Sequence, residues 1–282
     1  MKKHLFGWAS VLISALTVVP MAMGATPADA SPVHNFSTCR AIKEALPAAR
    51  DGNYLLYNGG NLFTAYCYDM ATTPSEYIDL AETTGANYSQ YTAGGASPGT
   101  DVRTRFTKLR INPATLAVDI GDLTFASSTG QLKHAGTTTV TSMPYGVAMS
   151  CVAPGDNSGV GNIDLQNTPF QVDSTFALGG SQPAGSASVS PDDQVVDLRG
   201  GGYCGWVTPA PALYNPFNPN PGMYHFMLRC ATNPVASVPG QVCVRVGKAM
   251  DITEQMHSGQ GMTVLYRGHQ IAVVNSDGQV RS

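Results

Sequence analysis

Most of the chain consists of short runs in which apolar and polar residues alternate, and turn residues separate the runs. Two aromatic runs, ARDGNYLLYNGG and LFTAYCYDM, flank Asn58-Gly59-Gly60-Asn61. Asn and Gly favour the left-handed backbone of tight turns, so the two runs predict a β-hairpin. Further runs of strand length follow as far as residue 199: YIDLA, TRFTKLRI, LAVDIGDLTFA, NIDLQ, PFQV, STFAL and QVVDLR.

The run YIDLA shows how such a strand should lie. Tyr77, Asp79 and Ala81 alternate with Ile78 and Leu80. Since successive side chains of a strand point to opposite faces, we expect one face on a core and one face in water.

The segment STCRAIKEALP predicts a short helix. Ser37 or Thr38 can cap its start, and Ile42 and Leu46 share one face. Pro47 should end it, because proline cannot continue a helix.

The pattern changes near Pro209, where the stretch PAPALYNPFNPNPGMY holds too much proline for a helix or a central strand. We therefore predict a domain boundary there, with one domain over residues 31–209 and a β-rich C-terminal extension over residues 210–282. In the extension, HFMLRC and QVCVRV predict two paired strands bridged by Cys230 and Cys243. The run TVLYRGHQIAVV predicts a hairpin that turns at RGH.

The first thirty residues fit a secretory signal. A basic start precedes an apolar stretch from Leu5 to about Met23, and Ala28-Asp29-Ala30 is typical of a cleavage site. We predict a signal peptide over residues 1–30 and a mature chain that begins at Ser31. A transmembrane anchor is the alternative, but polar residues, a proline and a glycine interrupt the run. Since no later stretch is apolar enough to span a membrane, we expect a secreted, extracellular protein.

Charge excludes some partners. Two lysines and one aspartate leave with the signal, so the formal net charge changes from −3 to −4. This mild acidity gives no footprint for nucleic acid or an anionic membrane. Only 12% of the chain is charged and 43% is hydrophobic, which favours an exported β protein over a disordered one.

Six cysteines follow the predicted cleavage site, and an even number in an oxidising compartment predicts three disulfides. Six cysteines allow 15 pairings, and proximity along the chain favours Cys39 with Cys67, Cys151 with Cys204, and Cys230 with Cys243. We therefore predict a mainly β (α+β) fold, in which twisted antiparallel sheets and one short N-terminal helix are held together by disulfides.

Several motifs occur in the order found in a known family. They are CRAI from Cys39, then ARDGNYLLY, YCYDM, EYIDL, NYS, TRFTKLRI and DLTFASSTG, then Cys151 and GGGYCG around Cys204. Over about residues 38–209 the chain resembles the GON domain. That domain is the C-terminal module of certain secreted zinc metalloproteases with thrombospondin repeats, and similar modules occur alone in bacterial exported proteins. The resemblance implies an accessory module without chemistry of its own, since its neighbours supply the protease.

The resemblance implies less about metals and the third disulfide. The match departs from the animal pattern after Cys151, where further cysteines are expected, so the family does not imply the third bond. The opening is also similar to that of fibrinogen-like domains, in which the corresponding cysteines pair, and this supports a bond from Cys39 to Cys67. The calcium and ligand site of those domains has no corresponding Asp-rich loop here.

Catalytic motifs give little support to an enzyme. A zinc protease needs His-Glu-x-x-His on a helix, and the sequence lacks it. Glu254 and His257 could share an ion on one helix face, but a capping box of Asp251 with Glu254 at the start of a short helix is the favoured interpretation. We predict no catalytic residue, metal site or cofactor. The other histidines of the mature chain have no metal-ligand spacing: His34, His134, His225 and His269.

The string Gly95-x-Ser97-x-Gly99 matches a nucleophile elbow formally, but no strand and helix flank it, so we predict a mobile turn. A nearby group of cations could bind polyanions. If it lies on one strand, Arg105 faces away from Lys108 and Arg110, which favours an ordinary solvated strand. Other binding candidates are the aromatic residues in loop-like segments, although core packing is the alternative for each: Tyr88, Tyr91, Trp206, Tyr214 and Phe217.

These observations favour a secreted, non-catalytic binding or adhesion module for an extracellular protein or glycan of unknown identity. An extracellular hydrolase whose carboxylates, such as Asp69 and Glu76, converge only on folding is one alternative. A structural or assembly protein is another.

Overall fold

The computed structural model describes residues 36–211, 214–216, 224–232, 240–248, 251–257 and 261–281. The predicted signal peptide, His34 and Phe217 lie outside these ranges. The described residues belong to one compact unit. The boundary at Pro209 stays a prediction.

The predicted helix is confirmed as α1 (Cys39–Ala45). Thr38 caps it, because its hydroxyl accepts a hydrogen bond from the backbone N–H of Ala41 at 3.1 Å. Ile42 is buried, and Cys39 joins the helix to the following hairpin through a disulfide with Cys67. The described part of the chain contains no helix that could span a membrane.

The first large sheet is antiparallel, and its strands are β1 (Gly52–Asn58), β2 (Asn61–Tyr68), β3 (Ser75–Asp79), β6 (Lys108–Asn112), β7 (Ala117–Asp119), β13 (Phe170–Val172), β18 (Tyr224–Cys230) and β19 (Cys243–Arg245). Their order is β1-β2-β3-β6-β7-β18-β13, and β19 also pairs with β2. The predicted hairpin is confirmed as β1 and β2. Gly59 and Gly60 form its turn with φ of 57° and 78°, a backbone region that glycine enters without steric cost.

The second large sheet contains β4 (Tyr88–Thr92), β5 (Val102–Phe106), β8 (Ala126–Thr129), β11 (Ala148–Ser150), β12 (Gly159–Asp164), β14 (Phe176–Gly180), β15 (Pro183–Val189), β16 (Val195–Gly202) and β17 (Gly205–Pro209). Its main order is β14-β17-β11-β4-β12-β16-β15, while β5 joins β4 to β8. All its pairs are antiparallel except that of β4 with β11. Two smaller sheets consist of β9 (Leu132–His134) with β10 (Thr138–Val140), and of β20 (Ile252–His257), β21 (Gly261–Tyr266) and β22 (His269–Val274).

Apolar side chains from both large sheets form the main core. Ile78 and Leu109 come from the first sheet, and Phe106 and Val196 come from the second. A second core lies on the opposite face of the β1–β2 hairpin, where Leu62 packs with residues of β19, β21 and β22. The mainly β prediction is therefore confirmed, with sheets that bury apolar residues in more than one layer.

Three details of the prediction are wrong. The strands β18 and β19 do not pair with each other, because β18 lies between β7 and β13 while β19 pairs with β2; the disulfide of Cys230 with Cys243 connects them across the sheet. In the segment DITEQMH, the residues Ile252–His257 form β20, not a capped helix, because each of them pairs with β21. Tyr77 is buried, not in water, because the ring of Phe125 packs against it.

Candidate functional site

A cluster of aromatic rings lies on the face of the first sheet opposite the main core. We call it the aromatic face. It consists of four rings and the lysine side chain that contacts them: Tyr66, Tyr68, Tyr77, Phe125 and Lys108. It forms because successive side chains of β2, β3 and β6 point to opposite faces of the sheet. The neighbouring residues Cys67, Ile78 and Leu109 therefore point into the main core. The strand register places Tyr66 opposite Tyr77, and Phe125 comes from the segment that precedes β8.

The rings of the aromatic face hold one another edge to face. The ring centre of Phe125 is 4.8 Å from that of Tyr77, 5.0 Å from that of Tyr68 and 5.9 Å from that of Tyr66. The planes of these pairs differ by 77° to 90°. Tyr68 is 36% exposed, while Tyr66 and Phe125 are half-buried. The cluster is therefore a rigid apolar surface that is partly open to solvent.

Charged groups surround these rings in pairs. The Lys108 ammonium lies 4.2 Å from the centre of the Tyr66 ring and forms an ion pair with Asp79. Burial lowers the pKa of Lys108. Asp122 accepts a hydrogen bond from the Tyr77 hydroxyl at 3.2 Å and pairs with Arg110 at 3.3 Å. Burial raises the pKa of Tyr77 to about 12, so its hydroxyl stays a donor at neutral pH.

The prediction that the neighbouring cations divide between two faces of one strand is wrong. The strand is interrupted at Thr107, and β5 continues in the second sheet while β6 continues in the first. Buried positions alternate within each half, and the interruption shifts the alternation by one residue. As a result all four cations lie at positions that face away from the main core: Arg103, Arg105, Lys108 and Arg110.

Arg103 and Arg105 lie beside Tyr88 on the outer face of the second sheet. We call these three residues the arginine row. The guanidinium of Arg103 lies 4.2 Å from the centre of the Tyr88 ring, and its Nε donates to Gln90 at 2.8 Å. Arg105 is the cross-strand neighbour of Tyr88. The Nε of Arg105 is buried, and it has no hydrogen-bond partner in the described part of the chain.

A polar cluster is buried beside one disulfide. We call it the Tyr91 cluster: Tyr91, Ser97, His134 and Cys151. The Tyr91 hydroxyl lies 2.6 Å from Ser97 Oγ, 2.7 Å from His134 Nδ1 and 2.8 Å from Cys151 Sγ. Tyr91, Ser97 and Cys151 are fully buried, and His134 is 2% exposed. His134 and Cys151, which are 43 and 60 residues from Tyr91 along the chain, therefore meet the nearby Ser97 at one phenol.

Burial sets the protonation of this cluster. It raises the pKa of Tyr91 to about 12, and it lowers the pKa of His134. Both groups are therefore neutral at physiological pH. His134 Nδ1 and the two sulfurs of Cys151 and Cys204 lie within 4.8 Å of one another, a donor set that suits zinc once the sulfurs are thiolates. In the structure they form a disulfide.

The other candidate residues lie in cores or in a strand. Tyr91 and Tyr214 are buried and Trp206 is half-buried, so these aromatics pack in a core and are not exposed binding residues. His257 lies on β20, where its Nε2 is 3.0 Å from the hydroxyl of Thr263.

Sequence reasoning did not select the aromatic face as a binding candidate. Its tyrosines lie in strands, whereas we sought exposed aromatics in loops. The alternation of Tyr66 and Tyr68 in LFTAYCYDM could have indicated an aromatic face opposite Cys67.

Comparison with known proteins identifies one family. The model of the GON domain family matches residues 36–97 and 93–214, which is more than half of the chain. Neither the curated proteins nor the solved structures contain a match.

Proposed function

The chain belongs to the GON domain family, and from this premise we propose that it is an extracellular, non-catalytic recognition module that binds a protein partner. The observation that carries this proposal is the aromatic face. Tyrosine and its aromatic neighbours supply large, rigid contact areas, and they are enriched where proteins bind one another. The ring contacts fix the side chains before binding, which reduces the entropy lost on association.

The geometry of the rings favours a protein over a neutral sugar. A sugar stacks on an exposed, flat ring face. The rings that contact Phe125 stand at 77° to 90° to it, so they present edges and faces in different directions. Such a surface fits the varied side chains of a protein, and the ion pairs of Lys108 and Arg110 provide a polar rim around it.

An extracellular location agrees with three disulfides, which persist in oxidising compartments. It also agrees with the apolar start of the chain. N-terminal sequencing of the exported protein tests the location, and we expect the mature chain to begin at Ser31. Recovery of the protein only inside the cell, with residues 1–30 retained, would contradict the proposal.

The binding proposal is tested by applying the oxidised protein to arrays of extracellular proteins and of glycans, with calcium, with zinc and with a chelator. We expect binding to proteins that survives chelation. Tyr68→Ala should weaken this binding by about tenfold or more, because the variant removes the exposed ring of a central aromatic cluster. Tyr203→Ala is the matched control, since Tyr203 is 52% exposed and belongs to another part of the surface.

Three outcomes would contradict the proposal. Equal losses in Tyr68→Ala and Tyr203→Ala would show that the aromatic face does not carry binding. Binding to neutral glycans and to no protein would show that the ligand is a glycan and not a protein. Self-association that Tyr68→Ala abolishes would favour the assembly alternative, and a light-scattering measurement of both variants detects it.

We also propose a second candidate function, the binding of sulfated or otherwise anionic glycans along the arginine row. It is supported by the neighbouring positions of Arg103 and Arg105 on the outer face of the second sheet and by the Arg103–Tyr88 contact. On the glycan array, Arg105→Gln should weaken binding to sulfated oligosaccharides, and higher salt should weaken it further. Arg40→Gln, at an exposed position on α1, is the control and should change nothing.

A further inference from the structure

The three disulfides have different surroundings, and one of them combines a half-buried cysteine beside an exposed turn residue with a partner sulfur that a phenol hydroxyl contacts. We propose that Cys204 is a site of thiol–disulfide exchange, at which an external thiol forms a mixed disulfide and releases Cys151 as a thiolate beside Tyr91. This inference is independent of the aromatic face and of any binding partner.

The external thiol would enter at Cys204. This residue is half-buried and lies in the turn between β16 and β17, next to Tyr203, which is 52% exposed. On the facing segment, Val152 is 37% exposed and follows Cys151 directly. Cys204 has a φ of 84°, a left-handed conformation that is unfavourable for a residue with a Cβ.

The leaving group would be Cys151. Its sulfur is fully buried, and the Tyr91 hydroxyl lies 2.8 Å from it. In the disulfide, sulfur is a weak acceptor, and the phenol proton is better donated to His134 Nδ1 at 2.7 Å. When Cys151 becomes a thiolate, the same proton can turn towards the sulfur, because Nδ1 and Sγ are only 3.7 Å apart.

The exchange balances without a metal or another oxidant. The attacking thiolate forms a bond to Cys204 Sγ, the bond between Cys204 and Cys151 breaks, and its electron pair remains on Cys151. A hydrogen bond from Tyr91 to that thiolate lowers the pKa of the leaving thiol, and exchange is faster when the leaving thiol has a lower pKa.

The other two disulfides lack this combination. Cys39 and Cys67 are both fully buried in the main core, so an external thiol cannot approach either sulfur in the folded protein. Cys230 is half-buried like Cys204, and attack there would release Cys243. In the described part of the chain, however, no donor is hydrogen-bonded to the Cys243 sulfur, which is buried in the apolar main core. This bond is therefore an internal control with a similar entry and no stabilised leaving group.

The test is a time course of the folded, oxidised protein with reduced glutathione, followed by alkylation of free thiols and mass spectrometry. A second arm uses a thioredoxin-type protein thiol whose resolving cysteine is replaced, which traps the mixed disulfide. We expect the adduct on Cys204 and the alkylated thiol on Cys151, before either of the other two bonds reacts. The reagent that reacts faster at Cys204, glutathione or the thioredoxin-type protein, shows whether a small molecule or a protein is the preferred source of the thiol.

Tyr91→Phe tests the leaving-group argument. We expect it to slow exchange at Cys204 by about tenfold, which is the lower part of the range for a hydrogen bond to a charged group. Tyr145→Phe is the matched control, because Tyr145 is also a buried tyrosine, with its hydroxyl donated to Asn87 at 2.6 Å. The rate at Cys230 should be the same in both variants, and circular dichroism checks that both remain folded.

Several results would overturn the proposal. They are equal exchange rates at all three disulfides, an adduct on Cys151 instead of Cys204, or the same rate in Tyr91→Phe and Tyr145→Phe. If Tyr91→Phe does not fold, the order of reaction and the position of the adduct in the unaltered protein still decide the question.

Discussion

The disulfides Cys39–Cys67 and Cys151–Cys204 differ in the side chains that surround their sulfur atoms. The first bond joins α1 to β2 inside the apolar main core. The second joins the residue after β11 to the turn before β17, and a phenol, a hydroxyl and an imidazole lie beside it. Both pairings follow from proximity along the chain, yet only the second places a polar network at the sulfur. A disulfide can thus hold a fold together or carry chemistry, and its neighbours decide between the two.

Removal of each bond should show how much of this difference concerns stability. The chain-entropy relation gives a loss of roughly 3.5 kcal/mol for Cys39→Ala with Cys67→Ala, and of roughly 4 kcal/mol for Cys151→Ala with Cys204→Ala, because the second loop is longer. Denaturant unfolding measures both losses. A loss at Cys151–Cys204 well below that at Cys39–Cys67 would mean that the polar network offsets part of the constraint.

Loss of the central phenol should affect the second region more than the first. Tyr91→Phe leaves Ser97 and His134 without a shared buried partner, and we expect a loss of about 1–3 kcal/mol in the free energy of unfolding. Tyr54→Phe is the matched change near the first bond, where the hydroxyl donates to the Arg50 carbonyl at 2.8 Å. We expect less than about 1 kcal/mol there, because the exposed Arg50 carbonyl can turn to water. Equal losses would contradict the comparison.

A change at the helix cap should affect only the first region. Thr38→Ala removes the acceptor for the Ala41 N–H, and about 1 kcal/mol of stability should be lost. Thr38→Ser keeps a capping hydroxyl and is the control. Hydrogen exchange should increase in α1 and remain unchanged near Tyr91; an increase at both places would show that the regions are coupled.

The pH should act on the two regions in opposite directions, with the smallest effect of the series. Burial lowers the pKa of His134, so the folded state binds the proton less tightly than the unfolded state; its contribution is lost as the pH falls below about 6.5. Burial raises the pKa of Glu76, which accepts from the Cys39 N–H; its protonated form contributes stability below about pH 4.5, and this is lost as the pH rises through the folded pKa.

Local hydrogen exchange near Tyr91 and near Cys39, measured between pH 4 and 8, separates these responses. His134→Phe should remove the dependence near Tyr91, and Glu76→Gln should remove that near Cys39. The same sign in both regions would show that other groups dominate.

Elements that are determined by residues close to one another in the sequence could be predicted from it. The helix was indicated by Thr38 and Pro47, and the first hairpin by its Asn-Gly turn. The apolar alternation shifts by one residue between Phe106 and Leu109, which marks the interruption at Thr107, but a single strand with cations on both faces also accommodates that sequence. The segment DITEQMH has a good helix start, but pairing with β21 outweighs that local preference.

The candidate sites depend on contacts between distant segments. Ser97, His134 and Cys151 have no shared spacing, and only the fold brings them to Tyr91. The aromatic face likewise needs the register of β2 with β3 to place Tyr66 beside Tyr77. Local patterns therefore give no indication of the Tyr91 cluster, and for the aromatic face they indicate only that Tyr66 and Tyr68 share one side of a strand.

The first sheet takes strands from both ends of the described chain, and this has a consequence for the kinetics of folding. Cys243 pairs with Phe63, and the N–H of Val280 donates to the carbonyl of Asn53 at 2.8 Å. Such pairings close very long loops, and all-β domains dominated by them fold in about milliseconds to seconds. Until the last strands arrive, Leu55 and Leu62 lack their cover in the second core. We therefore expect a slow folder whose partly folded states expose an apolar hairpin and tend to aggregate.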